Sequence, residues 1–149
     1  MVVGAEQVGD LFLFLLALRE MGQIAGRTRL QKTVYLLREH YGIPFSFHFK
    51  PYFYGPYSEE LSDSVDNLKA LGMIEERRRY LTEGVIEYSY RLTKAGASFL
   101  EANVTADVVK RPPLGGNLAK ATRELGHLAT QVLVATAKAT MASSMSGSR

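Results

Sequence analysis

The sequence predicts an α+β fold, mostly α, and three observations predict it. Apolar residues recur at helical spacing in several segments. An aromatic stretch alternates with period two. Two charged runs with strand-like alternation flank a glycine-containing turn.

Helix one is expected from Gly9 to Met21. It is apolar nearly all round, from Leu11 through Leu18, which implies burial on several sides, and Gly22 stops it. Helix two is expected from Thr28, a good N-cap after Gly26, with Leu30, Val34, Leu37 and Tyr41 on one stripe. Gly42 and Pro44 end it. From Pro44 to Pro56 the chain is aromatic. Phe45, Phe47 and Phe49 alternate with Ser46, His48 and Lys50, as in a strand. Pro51 breaks the pattern, and Gly55-Pro56 marks a turn.

Ser58 caps helix three, whose first turn holds Glu59 and Glu60, where the helix dipole favours acids. Leu61, Val65, Leu68 and Leu71 form its stripe, and Gly72 ends it. Met73 to Tyr80 and Val85 to Leu92 then read as strands joined by the turn Thr82-Glu83-Gly84, a hairpin. Thr93 caps a further helix to Glu101. Residues 1–102 form the main domain and residues 103–117, with Lys110-Arg111-Pro112-Pro113 and Gly115-Gly116, read as a linker. Residues 118–141 read as one long C-terminal helix, and residues 142–149 as a disordered tail.

Composition narrows the function classes. The chain has 149 residues, 46% hydrophobic and 22% charged, close to the norm for a soluble globular protein. It has no cysteine, which excludes disulfides, thiolate metal sites and a cysteine nucleophile, and fits a cytoplasmic setting. The apolar run Leu11–Leu18 lacks a basic leader and is far shorter than the roughly 20 residues of a membrane span, so it reads as a buried helix. The net charge of +3 suggests nucleic acid at first sight. Up to Ala102, however, 12 Lys and Arg face 13 Asp and Glu, and from Asn103 onward the count is 6 against 2. The excess base therefore lies behind the main domain.

The order helix, helix, extended segment, helix, hairpin, helix, with Leu71-Gly72-Met73-Ile74 before the hairpin and Leu92-Thr93-Lys94-Ala95-Gly96 after it, resembles winged helix-turn-helix proteins. In that fold helix three is the reading element and the hairpin is the wing. A narrower resemblance lies in Arg29-Leu30-Gln31-Lys32-Thr33-Val34-Tyr35-Leu36-Leu37 followed by Tyr54-Gly55-Pro56-Tyr57-Ser58. These residues resemble the YwgA-like proteins of bacteria and archaea and, more distantly, the Panacea antitoxin domain. The first resemblance implies no particular activity. The second implies binding and neutralising a protein toxin. Neither implies catalytic residues.

The candidate sites are weighed against plainer structural roles. Glu59, Asp63 and Asp66 share one face of helix three and would repel phosphates. The stripe is either a solvated acidic face or a surface for a basic protein partner. Arg27, Arg29 and Lys32 open helix two. On the wing strand, Arg77 and Arg79 share a face and Arg78 takes the other. These cations either hold DNA phosphates or pair with Glu75, Glu76, Glu83 and Glu87 across the hairpin. Ser64, Asn67 and Lys69 would then face bases. Lys110, Arg111, Lys120 and Arg123 would add non-specific attraction. The aromatics Phe45, Phe47, Phe49, Tyr52, Phe53, Tyr54 and Tyr57 are read mainly as core, with stacking on bases as the alternative.

Leu118, Leu125 and Val132 are seven residues apart, and Ala121 and Leu128 fall on the intervening seam position, as in a short dimerising coiled coil. His40, His48 and His127 lack metal-ligand spacing, and no phosphate loop or nucleophile motif appears. The leading expectation is a non-enzymatic, cofactor-free homodimer that binds double-stranded DNA and regulates transcription or shapes DNA. The alternative is an antitoxin-like protein-interaction module.

Overall fold

The computed structural model describes residues 5–104, 114 and 117–147. Helix α1 (Ala5–Met21) begins before Gly9 and buries Leu13 to Leu18. A two-residue strand, β1 (Ile24–Ala25), follows it and is too short to leave a periodic signal. Helix α2 (Arg27–Tyr41) is capped by Gly26 rather than Thr28. Gly26 sits at φ 110° and donates its N–H to the Tyr88 carbonyl at 2.6 Å, so the chain leaves the sheet and enters the helix at one residue.

The segment after α2 keeps the expected alternation without becoming a strand. Ile43, Phe45 and Phe47 are buried while Pro44, Ser46 and His48 are exposed. Side chains, not a neighbouring strand, satisfy its backbone. Buried Asp10 accepts from the Ser46 N–H at 2.8 Å and its hydroxyl at 2.6 Å. Glu60 accepts from the His48 N–H at 2.7 Å, and Arg38 donates to the Phe47 carbonyl. Groups satisfied this way need no ladder. The one bridge in this region is Lys50 with Tyr57, closing the aromatic turn.

Helix α3 (Glu59–Ala70) is capped as expected, with the Ser58 hydroxyl accepting from Leu61 N–H at 3.1 Å. Strands β2 (Ile74–Tyr80) and β3 (Ile86–Leu92) pair antiparallel from Ile74↔Leu92 to Tyr80↔Ile86, and β1 joins β3 to give the order β1-β3-β2. Thr93 caps α4 (Lys94–Asn103) through the Gly96 N–H at 3.0 Å.

The C-terminal region departs from expectation. In place of one helix there are two, α5 (Asn117–Gly126) and α6 (Thr130–Gly147). Arg29 stabilises the break. It donates to the Leu125 and Gly126 carbonyls at 3.0 and 3.2 Å and to Thr130 Oγ1 at 3.3 Å, a cation at the end where the helix dipole is negative. The expected disordered tail is helical as far as Gly147. The expected linker falls almost wholly outside the described residues, as do residues 148–149.

Both helices lie along α2, tied by Tyr41 to Glu124 at 2.8 Å and His40 to Thr140 at 2.8 Å. Leu118, Ala121 and Leu125 are buried in the same hydrophobic cluster as α1 and α2, and Leu128 packs against it, whereas Val132 is exposed. The heptad pattern therefore records packing within this chain and not a free dimer seam. Leu125→Ala should cost about 2–5 kcal/mol of stability, as core truncations do, read from the urea midpoint. Loss of self-association with an unchanged midpoint would restore the seam.

Candidate functional site

The two motifs singled out in the sequence meet in space. Gln31 on α2 pins the turn residue Ser58 on both sides. Its amide nitrogen donates to the Ser58 carbonyl at 2.9 Å, and its oxygen accepts from the Ser58 N–H at 2.8 Å. Both residues are buried, so losing this pair would leave backbone groups unsatisfied. One residue further along α2, the Lys32 stem runs beneath Gly55. A Cβ on Gly55 would stand 3.4 Å from Lys32 Cε and 3.2 Å from Lys138 Cγ, and Gly55 sits at φ 97°. The Tyr-Gly-Pro turn thus needs glycine for its backbone conformation and for the two lysines packed against it.

Between this turn, the start of α2, α3 and the hairpin lies a groove of about 300 Å³. Arg27, Gln31 and Lys32 line it from α2, Tyr52, Tyr54 and Tyr57 from the turn, Val65 and Asp66 from α3, and Glu76 and Tyr90 from the sheet. Lys32 is 2% exposed. Burial, and next the repulsion of Lys138, bring its ammonium down to about 8 from an ordinary 10.5. Across the groove, burial pushes the Glu76 carboxyl up. Hydrogen bonds from Tyr90 and Lys69, with the charges of Lys69 and Arg27, outweigh that and hold it below its usual range. Tyr90 rises to about 12, first through burial and then through its 2.7 Å hydrogen bond to Glu76.

The residues expected to hold DNA phosphates do not form one free basic surface. Arg29 clamps α5 to α6, and Lys32 is buried in the groove. Arg27 hydrogen-bonds Tyr90 at 3.3 Å, lies 3.7 Å from Glu76 and stacks 3.7 Å over the Tyr88 ring. On the hairpin, Arg77 pairs with Glu75 at 3.4 Å and Arg79 with Glu87 across the strands at 2.9 Å, while Arg78 lies over Tyr88 at 5.7 Å. Of the wing arginines only Arg79 makes the cross-hairpin pair; Arg77 pairs within its own strand, Arg78 has no ion pair, and Glu83 joins none among the described residues. Of the expected base readers, Asn67 is exposed, Ser64 is half-buried, and Lys69 bridges Asp66 and Glu76. Lys120 and Arg123 are exposed on α5, and Lys110 and Arg111 lie outside the described residues.

The acidic set has the opposite fate. Glu59, Asp63 and Asp66 are exposed on α3, and among the described residues Glu59 and Asp63 have no ion pair. The aromatic turn beside them departs from the core reading. Phe45 and Phe47 are core, but Tyr52, Phe53 and Tyr54 are 63%, 82% and 66% exposed. The signal for this was Pro51, where the alternation stops and the turn residues begin. Lys138, midway along α6, carries no sequence signal for its place beside Lys32. Among the described residues no helix is long and apolar enough to cross a membrane.

Comparison with known proteins supports the YwgA-like part of the motif reading. The chain is similar to YwgA. It is 38% identical over 82 residues to the Bacillus subtilis (strain 168) protein named "Uncharacterized protein YwgA", a match covering 55% of this chain and 48% of that protein. The chain thus matches about half the length of this relative. No protein-family model matches it.

Proposed function

We propose that this chain is a non-enzymatic interaction module on a winged-helix scaffold, which binds a basic protein partner through the acidic face of α3 and the aromatic turn beside it. The observation that carries the reading is the charge arrangement. Of the cations placed to meet phosphate, Arg29 and Lys32 are engaged or buried and Arg27, Arg77 and Arg79 are ion-paired. That leaves Arg78 on the hairpin and Lys120 and Arg123 on α5 as scattered exposed cations, while Glu59 and Asp63 stand exposed and unpaired together on one helix face among the described residues. Tyr52, Phe53 and Tyr54 add rigid apolar area of the kind that anchors protein interfaces. The scaffold reading draws support from the element order and from β1 pairing on the hairpin's second strand. The antitoxin-like resemblance points the same way, and the absence of cysteine fits a cytoplasmic site of action.

The test is co-purification with the wild type and with a Glu59→Lys, Asp63→Lys, Asp66→Lys variant. The expected result is a stoichiometric, basic partner held by the wild type and lost by the folded variant. A variant that keeps every partner overturns the reading.

Duplex DNA is the second reading, favoured by the same element order and by exposed Asn67 on α3. It predicts micromolar or tighter binding of labelled duplex in fluorescence anisotropy, with a steep loss as salt rises. In the protein-binding reading such affinity is absent at low salt.

A further inference from the structure

We propose that the groove under the Tyr-Gly-Pro turn is a binding site for a small ligand that carries an oxyanion on an apolar body, with the Lys32 ammonium as its anchor. The groove shares Tyr52, Tyr54 and Asp66 with the surface assigned to a protein partner, but its anchor, Lys32, lies outside that surface, so the inference is tested at Lys32.

Lys32 is nearly inaccessible as a residue and lines the groove, yet among the described residues it has no hydrogen bond and no ion pair. A buried charge without a partner is costly, and proteins normally pair it, neutralise it or give it a ligand. The two carboxylates that line the groove are turned to other cations. Glu76 is engaged by Tyr90 at 2.7 Å, Lys69 at 3.3 Å and Arg27 at 3.7 Å, and Asp66 lies 3.8 Å from Lys69. The stem of a second cation, exposed Lys138, packs beside Lys32 against Gly55, and its charge opposes the Lys32 ammonium. An oxyanion at the Lys32 ammonium would offset that repulsion.

The rest of the groove suits the remainder of such a ligand. Tyr52, Tyr54 and Tyr57 line it with aromatic surface for an apolar body. A volume of about 300 Å³ lies at the small end of the range for ligand pockets. Gln31 fixes the turn above it, so the site is largely preformed. The depressed Lys32 ammonium remains mostly protonated at neutral pH, and a bound oxyanion would raise its titration point.

The experiment titrates phenyl phosphate into the full chain and follows the backbone amides of Gln31, Gly55 and Ser58 by ¹H–¹⁵N NMR. Inorganic phosphate and phenol run in parallel to separate the anion from the ring. The expected result is a saturable shift of these amides with phenyl phosphate, weaker binding of inorganic phosphate and none of phenol. Lys32→Met should weaken binding by at least about tenfold, as loss of a charge-assisted contact does, and Lys32→Arg should retain most of it. The ¹³Cε titration of Lys32 should move upward on binding, which a merely structural lysine would not show. The Glu59→Lys, Asp63→Lys variant, which leaves the groove-lining Asp66 in place, should bind phenyl phosphate as the wild type does. No saturable shift at millimolar phenyl phosphate, or equal binding by folded Lys32→Met, overturns the proposal.

Discussion

Gly96→Ala should destabilise the protein by about 3 kcal/mol or more, at the upper end of what overpacking costs. Helix propensity alone predicts the opposite sign, since alanine in a helix interior is favoured over glycine by about 1 kcal/mol. Packing decides against it. Gly96 is buried in the first turn of α4, where that helix abuts the start of β2. A Cβ there would stand 2.0 Å from the Met73 carbonyl oxygen and 3.0 Å from its carbon, both backbone atoms. The same carbonyl accepts from the Thr93 N–H at 3.1 Å, and Thr93 also donates its hydroxyl to the Gly72 carbonyl. Moving α4 away would therefore break the hydrogen bonds that tie its cap residue, Thr93, to Gly72 and Met73. With total stabilities of about 5–15 kcal/mol, a loss of this size puts an appreciable unfolded population within reach. Urea unfolding measures it directly. A midpoint equal to or above that of the wild type would mean that α4 does not approach β2 this closely.

The contrast between Gly96 and the C-terminal helices shows which parts of the fold were legible in the sequence. The Ser58 cap, the stop at Gly42 and the hairpin around Thr82-Glu83-Gly84 are local. Each depends on residues within one turn of itself, and each forms as read. The break between α5 and α6 depends on Arg29, about a hundred positions away in the chain, and the heptad there reflects packing on α1 and α2. Periodicity shows that a face is buried but not what buries it. The same limit governs the aromatic segment. Alternation placed Phe45 and Phe47 in the core, but nothing in the pattern showed that Asp10, Glu60 and Arg38 would take the backbone groups of a strand.

The candidate site was half legible, for a related reason. The sequence left Arg77 and Arg79 either as phosphate-binding wing cations or as partners of hairpin carboxylates, and the register decides for Arg79 by setting it opposite Glu87, while Arg77 meets Glu75 two residues away on its own strand. A shift of one residue in that pairing would have freed Arg79, so its role rests on strand register rather than residue type. The Leu-Gln-Lys and Tyr-Gly-Pro motifs did point to the right place. Gln31 and Ser58 exchange hydrogen bonds, and Gly55 covers Lys32. The carboxylates that leave Lys32 unpaired come from α3 and β2, and the lysine that crowds it from α6.

That crowding leads to the second large effect. Lys32→Met should stabilise the unliganded protein at neutral pH by about 1–3 kcal/mol. The upper bound follows from the gap between the ammonium's ordinary 10.5 and its value of about 8 in the folded chain. Met keeps the unbranched stem against Gly55 and removes the desolvated charge and its repulsion from Lys138. The gain must also depend on pH in a definite direction. Below about 8 both folded and unfolded wild type hold the proton, and the folded form bears the full cost. Between about 8 and 10.5 the unfolded chain keeps the proton that the folded chain releases, so wild-type stability rises with pH relative to the variant. The difference between the two proteins should therefore be largest at neutral pH and close as the pH passes 10.5. Thermal or urea unfolding of both proteins at pH 7 and pH 10 measures this. A variant less stable than the wild type at both pH values would show that Lys32 has a stabilising partner. A difference independent of pH would show that its ammonium is solvated and ordinary. If instead the lysine lowers stability as expected, its retention in a buried groove is explained by what it binds, since hydrophobic residues of similar length fill such a position at lower cost.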